Sequence, residues 1–379
     1  MSQDSLGNLD DEDYSASDLV SKPWNPKDIR ITTKTFSIRE VYTQILEREL
    51  DLAPDFQRAF VWRSAQQVKL VESILLGIPL PAFYFNQDND GNFQVIDGVQ
   101  RLTTIRHFMS DELELTSDGV DYLKSLSGLR FSTLDGATRR RFGSTQIVAH
   151  VIEPQTPDEV KYDIFSRVNT GGSQLSPQEI RHCMSKTTSR TLLKNLVESS
   201  SFDEATNWFF WRRDNSGNWY RDNRRMADRE MALRFCAFYG EPIAEYALAS
   251  SLNAFLLDFT RKLDEGRLSS GLKVDDLCVA FDRAMRNCNH ILDDHAFRRP
   301  AQDGRRGPLN RAVFESQALA LADYELSDLL PYKEELRQGF LELFHQINYD
   351  GAVRAGTGDY RKVLVRLEEP KSMVKGIVR

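Results

Sequence analysis

The sequence has no apolar run of the roughly 18 residues that a membrane helix needs, and it opens acidic where a secretory signal would be basic. Both absences lead us to expect a soluble, cytoplasmic protein with no membrane partner. Four cysteines, Cys183, Cys236, Cys278 and Cys288, form no CxxC pair, which argues against a zinc ribbon or a disulfide scaffold. No internal repeat is visible, and no low-complexity segment beyond the N-terminal tail. An excess of positive charge is missing too. The net charge of −7 counts against a bulk polyanion binder but leaves room for a local basic patch.

What is present is globular. The 379 residues suffice for about two domains, and 41% hydrophobic and 10% aromatic residues exclude wholesale disorder. Much of the negative charge lies at the start, where Asp4, Asp10, Asp11, Glu12, Asp13 and Asp18 face Lys22 alone. Residues 1–30 are therefore expected to form a disordered acidic tail. From Thr35 to Val168, short β-branched and aromatic runs alternate with helix signals. From Pro177 onward the pattern is nearly all helical, with amphipathic stretches over 231–238 and 332–347. The expected fold class is α+β, with an α/β domain over 31–185 and a mostly helical domain over 186–379.

The best-marked helix follows Trp62, with Ser64 as cap, Gln67 completing a capping box, and Gly77 and Pro79 as stops. Ala82 to Phe85 then reads as a strand, Asp88-Asn89-Asp90-Gly91 as a turn, and Phe93 to Ile96 as the returning strand. That strand runs into Asp97-Gly98-Val99-Gln100-Arg101, after which Leu102, Ile105, Phe108 and Met109 keep a helical period. A strand, a glycine turn and a helix start bring backbone N–H groups and a helix dipole to one spot, which suits phosphate. Arg101 could reach the same anion as a fork of donors, Asp97 could hold a metal or orient water, and Gln100 could position a nucleophile. The same residues equally fit an Asp-Gly turn in which Asp97 caps the helix and Arg101 pairs with a surface carboxylate.

Two further segments carry candidate polar groups. Gln57-Arg58 precedes Phe60-Val61-Trp62 near a helix start, either as a second site pair or as surface beside an aromatic cluster. Thr156, Pro157 and Glu159 read as a helix opening, and Ser176, Pro177 and Glu179 as the next one. Between these helices, Asn169-Thr170-Gly171-Gly172 is a phosphate or base contact, or a plain linker.

Together these segments resemble the ParB/sulfiredoxin-like domain found at the N-terminus of GmrSD-type modification-dependent restriction enzymes and related phage-defence proteins. The resemblance rests on Pro54-Asp55-Phe56-Gln57-Arg58 with Val61-Trp62, on Leu70 through Pro81, on Ile96 through Thr104, and on Phe165 through Gly172 with Leu175 and Glu179. It implies a nucleotide-binding fold in which the family's DGQQR motif supports triphosphate binding and, in some members, hydrolysis. Asp97, Gly98, Gln100 and Arg101 match that motif, whereas Val99 stands where the family usually has Gln, which puts turnover in doubt. The implied nucleotide-binding set is Gln57, Arg58, Gly98, Arg101, Thr103 and Asn169. The implied catalytic set is Asp97, Gln100 and Arg101, with Mg²⁺ at Asp97. Many relatives add a nuclease domain with a His-Asn-His metal site, which needs clustered ligands. Here the six histidines are scattered, and Cys288-Asn289-His290 with His295 reads as a solvated helix end, so no nuclease half is expected.

The second half holds two arginine-rich segments. Between Asn207 and Arg229, Trp208, Phe209, Phe210, Trp211, Trp219 and Tyr220 interleave with Arg212, Arg213, Arg221, Arg224, Arg225 and Arg229. This suits stacking on bases with phosphate contacts, or else a core-facing aromatic cluster with a hairpin at 214–217. Arg298, Arg299, Arg305, Arg306 and Arg311 face only Asp303 in a Pro/Gly-rich loop, and the first four are candidate DNA contacts. The sequence leads us to expect a triphosphate-binding protein of a bacterial defence or restriction system, acting with DNA or a partner protein. A metal-dependent nuclease using the same site, and a silent scaffold recruiting a separate nuclease, remain open alternatives, as does homo-oligomerisation.

Overall fold

The computed structural model describes residues 26–52, 62–168, 175–214, 216–223, 225–300 and 307–378. The chain divides into two units between Cys183 and Met184.

The first unit runs β1 (Ile31–Ser37), α1 (Ile38–Leu46), β2 (Leu50–Asp51), α2 (Ser64–Leu76), β3 (Phe83–Gln87), β4 (Phe93–Asp97), α3 (Val99–Met109), α4 (Gly136–Ser144), β5 (Gln146–Ile152), α5 (Asp158–Val168) and α6 (Pro177–Met184). Its five strands form one mixed sheet in the order β1-β5-β3-β4-β2. β1 runs antiparallel to β5 and β3 antiparallel to β4, while β3 lies parallel to β5 and β2 parallel to β4. Phe83, Phe85, Phe93 and Val95 project from one sheet face onto Val68, Val71 and Leu75 of α2 and Leu102, Ile105 and Phe108 of α3. Each such buried side chain contributes about 1.5–3 kcal/mol by leaving water.

The β3–β4 hairpin closes as its turn residues require. Asp88 Oδ1 accepts the backbone N–H groups of Asp90 (2.9 Å) and Asn92 (2.8 Å), and Gly91 takes a φ of 92°. Three local expectations shift. The α2 cap is Arg63, not Ser64: the Arg63 N–H donates to Gln66 Oε1 at 3.0 Å, while Gln67 Nε2 donates to the Trp62 carbonyl at 3.1 Å. Adjacent glutamines offer the same chemistry one residue apart, so composition alone cannot choose the frame. Thr156 does not cap α5 either, because its hydroxyl accepts from the Arg30 N–H (3.3 Å) and donates to the Arg30 carbonyl (3.1 Å). Arg30 is thereby fixed rather than part of a loose tail, and Pro26–Asp28 form a single 3-10 turn; residues 1–25 lie outside the described residues. The Ser176–Glu179 box forms as expected, with Ser176 N–H to Glu179 Oε2 at 2.6 Å and Glu179 N–H to Ser176 Oγ at 3.1 Å.

Among its described residues the second unit is helical apart from one hairpin: α7 (Thr187–Val197), α8 (Ser200–Ala205), β6 (Trp211–Arg213), β7 (Trp219–Arg221), α9 (Ala227–Gly240), α10 (Ile243–Leu248), α11 (Leu252–Asp264), α12 (Val274–Leu292), α13 (Arg311–Leu321), α14 (Leu326–Leu329), α15 (Lys333–Leu343), α16 (Ile347–Arg354) and α17 (Tyr360–Ile377). The stretch 231–238 is not amphipathic in place. It belongs to α9, which is buried nearly all round, including Asp228, Arg229, Glu230 and Arg234. Those charges are tolerated because they are paired. Arg234 bridges Glu230 (2.7 Å) and Glu315 (3.0 Å), and Glu315 also holds Arg366 at 2.6 Å. The alternating Val363, Val365 and Leu367 lie on α17, capped by Asp359 through the Arg361 and Lys362 N–H groups. No helix among the described residues is long and apolar enough to cross a membrane.

Candidate functional site

The turn from β4 into α3 is built around glycine. Gly98 sits at φ 101°, a conformation that L side chains rarely adopt, and a Cβ there would lie 2.3 Å from Phe83 Cδ1. Phe83 is fully buried in the sheet core. The sequence must therefore supply glycine at this point, and the helix it opens has no side-chain cap. The first N–H groups of a helix have no partner within it.

Arg101, one turn into α3, folds back rather than outward. Its guanidinium donates to the carbonyls of Pro81 and Ala82 (the latter at 3.2 Å) and to Asp97 Oδ2 at 3.1 Å, and it lies over the Phe83 ring at 4.2 Å. Only 12% of the side chain is exposed, against 39% for Asp97. Burial lowers the guanidinium's pKa and the Asp97 carboxylate opposes that. The reading of a plain capped Asp-Gly turn does not describe this. Asp97 does not cap the helix, and Arg101's carboxylate is Asp97 itself, one helical turn back. Arg101 thus braces the end of β4 against the segment entering β3, holding the Gly98 turn between them. These three bonds leave part of its five-donor fork for a ligand.

The neighbouring candidates fall as follows. Gln100 and Thr103 are half-buried in the first turns of α3, and the Thr104 hydroxyl bonds to the Gln100 carbonyl at 2.8 Å. Val99 is buried in the apolar core. Gln57, Arg58 and Asn169 lie outside the described residues. Asp97, Gly98, Gln100, Arg101 and Thr103 are thus brought together by one strand–turn–helix.

Sequence reasoning missed two features nearby. Asn86 and Gln94 pair across β3 and β4, and both Asn86 Oδ1 and Gln94 Nε2 are buried without a hydrogen-bond partner. A glutamine inside the apolar run Phe93-Gln94-Val95-Ile96 was the available signal. Glu72, amid the apolar residues of α2, is buried and accepts the N–H groups of Asp121, Tyr122 and Leu123 at 3.1, 2.7 and 2.7 Å. Burial pushes its pKa up, but the three backbone donors outweigh that and leave it below the usual value.

In the helical unit, the expected basic loop is only partly surface. Arg298 is buried, donates to the Gly307 carbonyl at 2.6 Å and lies over Phe209 at 5.7 Å, so it packs rather than projects. Arg299 is half-buried, 4.0 Å from Asp350, and Arg305 and Arg306 lie outside the described residues. His290 is exposed while Cys288 is buried on α12. Among the described residues, no group of three or more His, Cys, Asp and Glu side chains could hold a metal ion.

No curated protein matches the sequence. A solved structure of a Pnob8-like ParB-N domain is 12% identical over 93% of this chain and 99% of that chain, at a TM-score of 0.21, too low to argue from. Residues 38–185 match the family described as GmrSD restriction endonuclease, N-terminal domain. That match runs from the start of α1 to just past α6, under half of the chain, and is a likeness of this segment to the GmrSD N-terminal family.

Proposed function

We propose that residues 31–185 bind a nucleoside triphosphate at the turn from β4 into α3. The chain would serve a restriction or phage-defence system, with residues 186–379 engaging DNA or a partner protein. The observation that carries this reading is the Gly98 turn: a left-handed glycine opens a helix without a side-chain cap, beside an arginine. Backbone N–H groups and the helix dipole favour phosphate there. Arg101 adds fixed positive charge and keeps the turn in shape before the ligand arrives, which lowers the cost of binding.

The donor set fits Mg²⁺ carried in with the phosphates rather than an ion held by protein alone. Among the described residues Asp97 is the carboxylate at the turn, and Mg²⁺ at phosphate sites commonly takes only one or two. The ion would neutralise phosphate charge. Gln100, half-buried one residue before Arg101, would orient water. Val99 faces the apolar core and can orient nothing, which favours binding with slow turnover.

The test is equilibrium binding and turnover of ATP, GTP, CTP and UTP with Mg²⁺ by the full chain, beside Asp97→Asn. At least one triphosphate should bind. The variant keeps an acceptor for Arg101 but loses the charge, so affinity should fall about tenfold, or ~1.4 kcal/mol. Folded protein that binds none of the four would refute the proposal.

A further inference from the structure

We infer that the β6–β7 hairpin of the helical unit is a platform on which bases of a single-stranded nucleic acid stack. The aromatic run splits cleanly by environment. Phe209 and Phe210 are buried in the helical core, whereas Trp208, Trp219 and Tyr220 are 49%, 55% and 48% exposed. Trp219 lies on the hairpin face that carries Trp211, Arg213 and Arg221, with Trp208 against Trp211 at 5.9 Å, whereas Tyr220 projects from the opposite face.

The platform is held rigidly. Trp211 to Arg213 pair with Arg221 to Trp219, and the Asp222 N–H donates to the Phe210 carbonyl at 2.7 Å. At the tip, Asp214 Oδ1 accepts the N–H groups of Ser216 and Asn218, both at 2.8 Å. At the base, Arg221 pairs with buried Asp203 and lies over the Trp211 ring at 5.5 Å. Little conformational entropy remains to be lost when a ligand stacks.

Charge selects the occupant. From Asn207 to Arg229 six arginines face three aspartates. Asp228 and Arg229 are both buried in α9, Asp214 is committed to the turn, Arg221 pairs with Asp203 and Arg212 with Asp222, which leaves Arg213 and Arg225 as the exposed cations among the described residues. Exposed Arg213 lies over the Trp219 ring at 4.7 Å, so a cation and an aromatic face share one site. The second arginine segment joins from the far side of the sequence: Arg298 lies over Phe209, and Asn207 Nδ2 donates to Asp294 Oδ1 at 3.2 Å. Interleaved cations and aromatic faces match phosphates and unpaired bases, since base stacking needs faces that a duplex keeps covered.

This inference rests on the reading that the chain acts on nucleic acid, and it is independent of the Gly98 turn. The experiment is fluorescence anisotropy of the full chain, without nucleotide, on labelled oligo-dT and oligo-rU of about 16 nucleotides and on a duplex of equal length. Wild type should bind single strands more tightly than duplex. Trp219→Ala should weaken that binding about tenfold, and Trp208→Ala with Trp219→Ala about a hundredfold. Trp219→Phe should restore most of it, while Tyr122→Ala, an exposed aromatic of the first unit, should change nothing. Binding to oligo-dT alone or to both oligomers supports the inference and tells DNA from RNA as the source. Duplex binding without single-strand binding overturns it but leaves the broader nucleic-acid reading intact, whereas binding to neither overturns both. Unchanged single-strand binding in the double variant also overturns it. So does an altered sedimentation coefficient with no change in binding, because the face would then join two copies of the chain.

Discussion

Replacing Gly98 by alanine asks two things of the β4–α3 turn at once. A side chain at φ 101° carries a backbone cost of about 1–2 kcal/mol. The new methyl would also sit 2.3 Å from Cδ1 and 2.8 Å from Cε1 of Phe83. That ring cannot swing into water, because it is fully buried between Phe85 (centroids 6.3 Å apart) and the Arg101 guanidinium. Forcing a methyl into such packing typically costs about 1–3 kcal/mol. The sum is about 2–5 kcal/mol, felt where α3 begins. Hydrogen exchange of the α3 amides in the full chain reads it directly, with the Leu102 N–H, bonded to the Gly98 carbonyl at 2.9 Å, as reporter. In a Phe83→Leu background the clash eases while the backbone cost stays, so Gly98→Ala should then cost only about 1–2 kcal/mol. Equal costs in the two backgrounds would refute the clash, and α3 protection unchanged to within about 0.5 kcal/mol would refute the turn.

Other expectations concern buried charge. Glu72→Gln should cost about 1.5–3 kcal/mol by weakening three charge-assisted bonds to residues 121–123. Because the folded pKa lies below the ordinary 4.5, the wild-type advantage is full above that value and fades as pH falls through the folded one. Urea titrations of both proteins from neutral to acid pH would show this, and a parallel pH dependence in the variant would refute it. Glu315→Gln leaves the guanidiniums of Arg234 and Arg366 buried beside a neutral acceptor and should cost about 3–5 kcal/mol. A thermal-melting loss equivalent to less than about 1 kcal/mol would mean the network is not held as described.

Local rules made the hairpin and helix around Asp97 legible. Turn residues at 88–91, a short apolar strand and a helical period after Arg101 each act within a few residues, and they agree with one another. The capping frame of α2 was not legible, since Gln66 and Gln67 compete for one role. Nor was the direction of Arg101, because its partners include two carbonyls at the entrance to β3, placed there only once β3 and β4 have paired. Glu72 shows the limit most plainly. A carboxylate within an apolar helix face looks like an interruption until a loop some fifty residues on supplies its three donors. The aromatic run at 208–220 was open between base stacking and a core-facing cluster, and its members divide between core and surface.

The Arg234–Glu315–Arg366 network also orders events in time. The sheet of the first unit is complete once Ile152 has left the ribosome, since β5 supplies the last partner for β1 and β3. The helical unit has no such early finish. Glu315 emerges long after Arg234, and the acceptor they share stays incompletely matched until Arg366 arrives on α17. Buried charges without their counterparts do not settle in an apolar interior. The nascent chain can therefore close its first unit while synthesis continues, and the second must wait for Arg366, in the first half of α17.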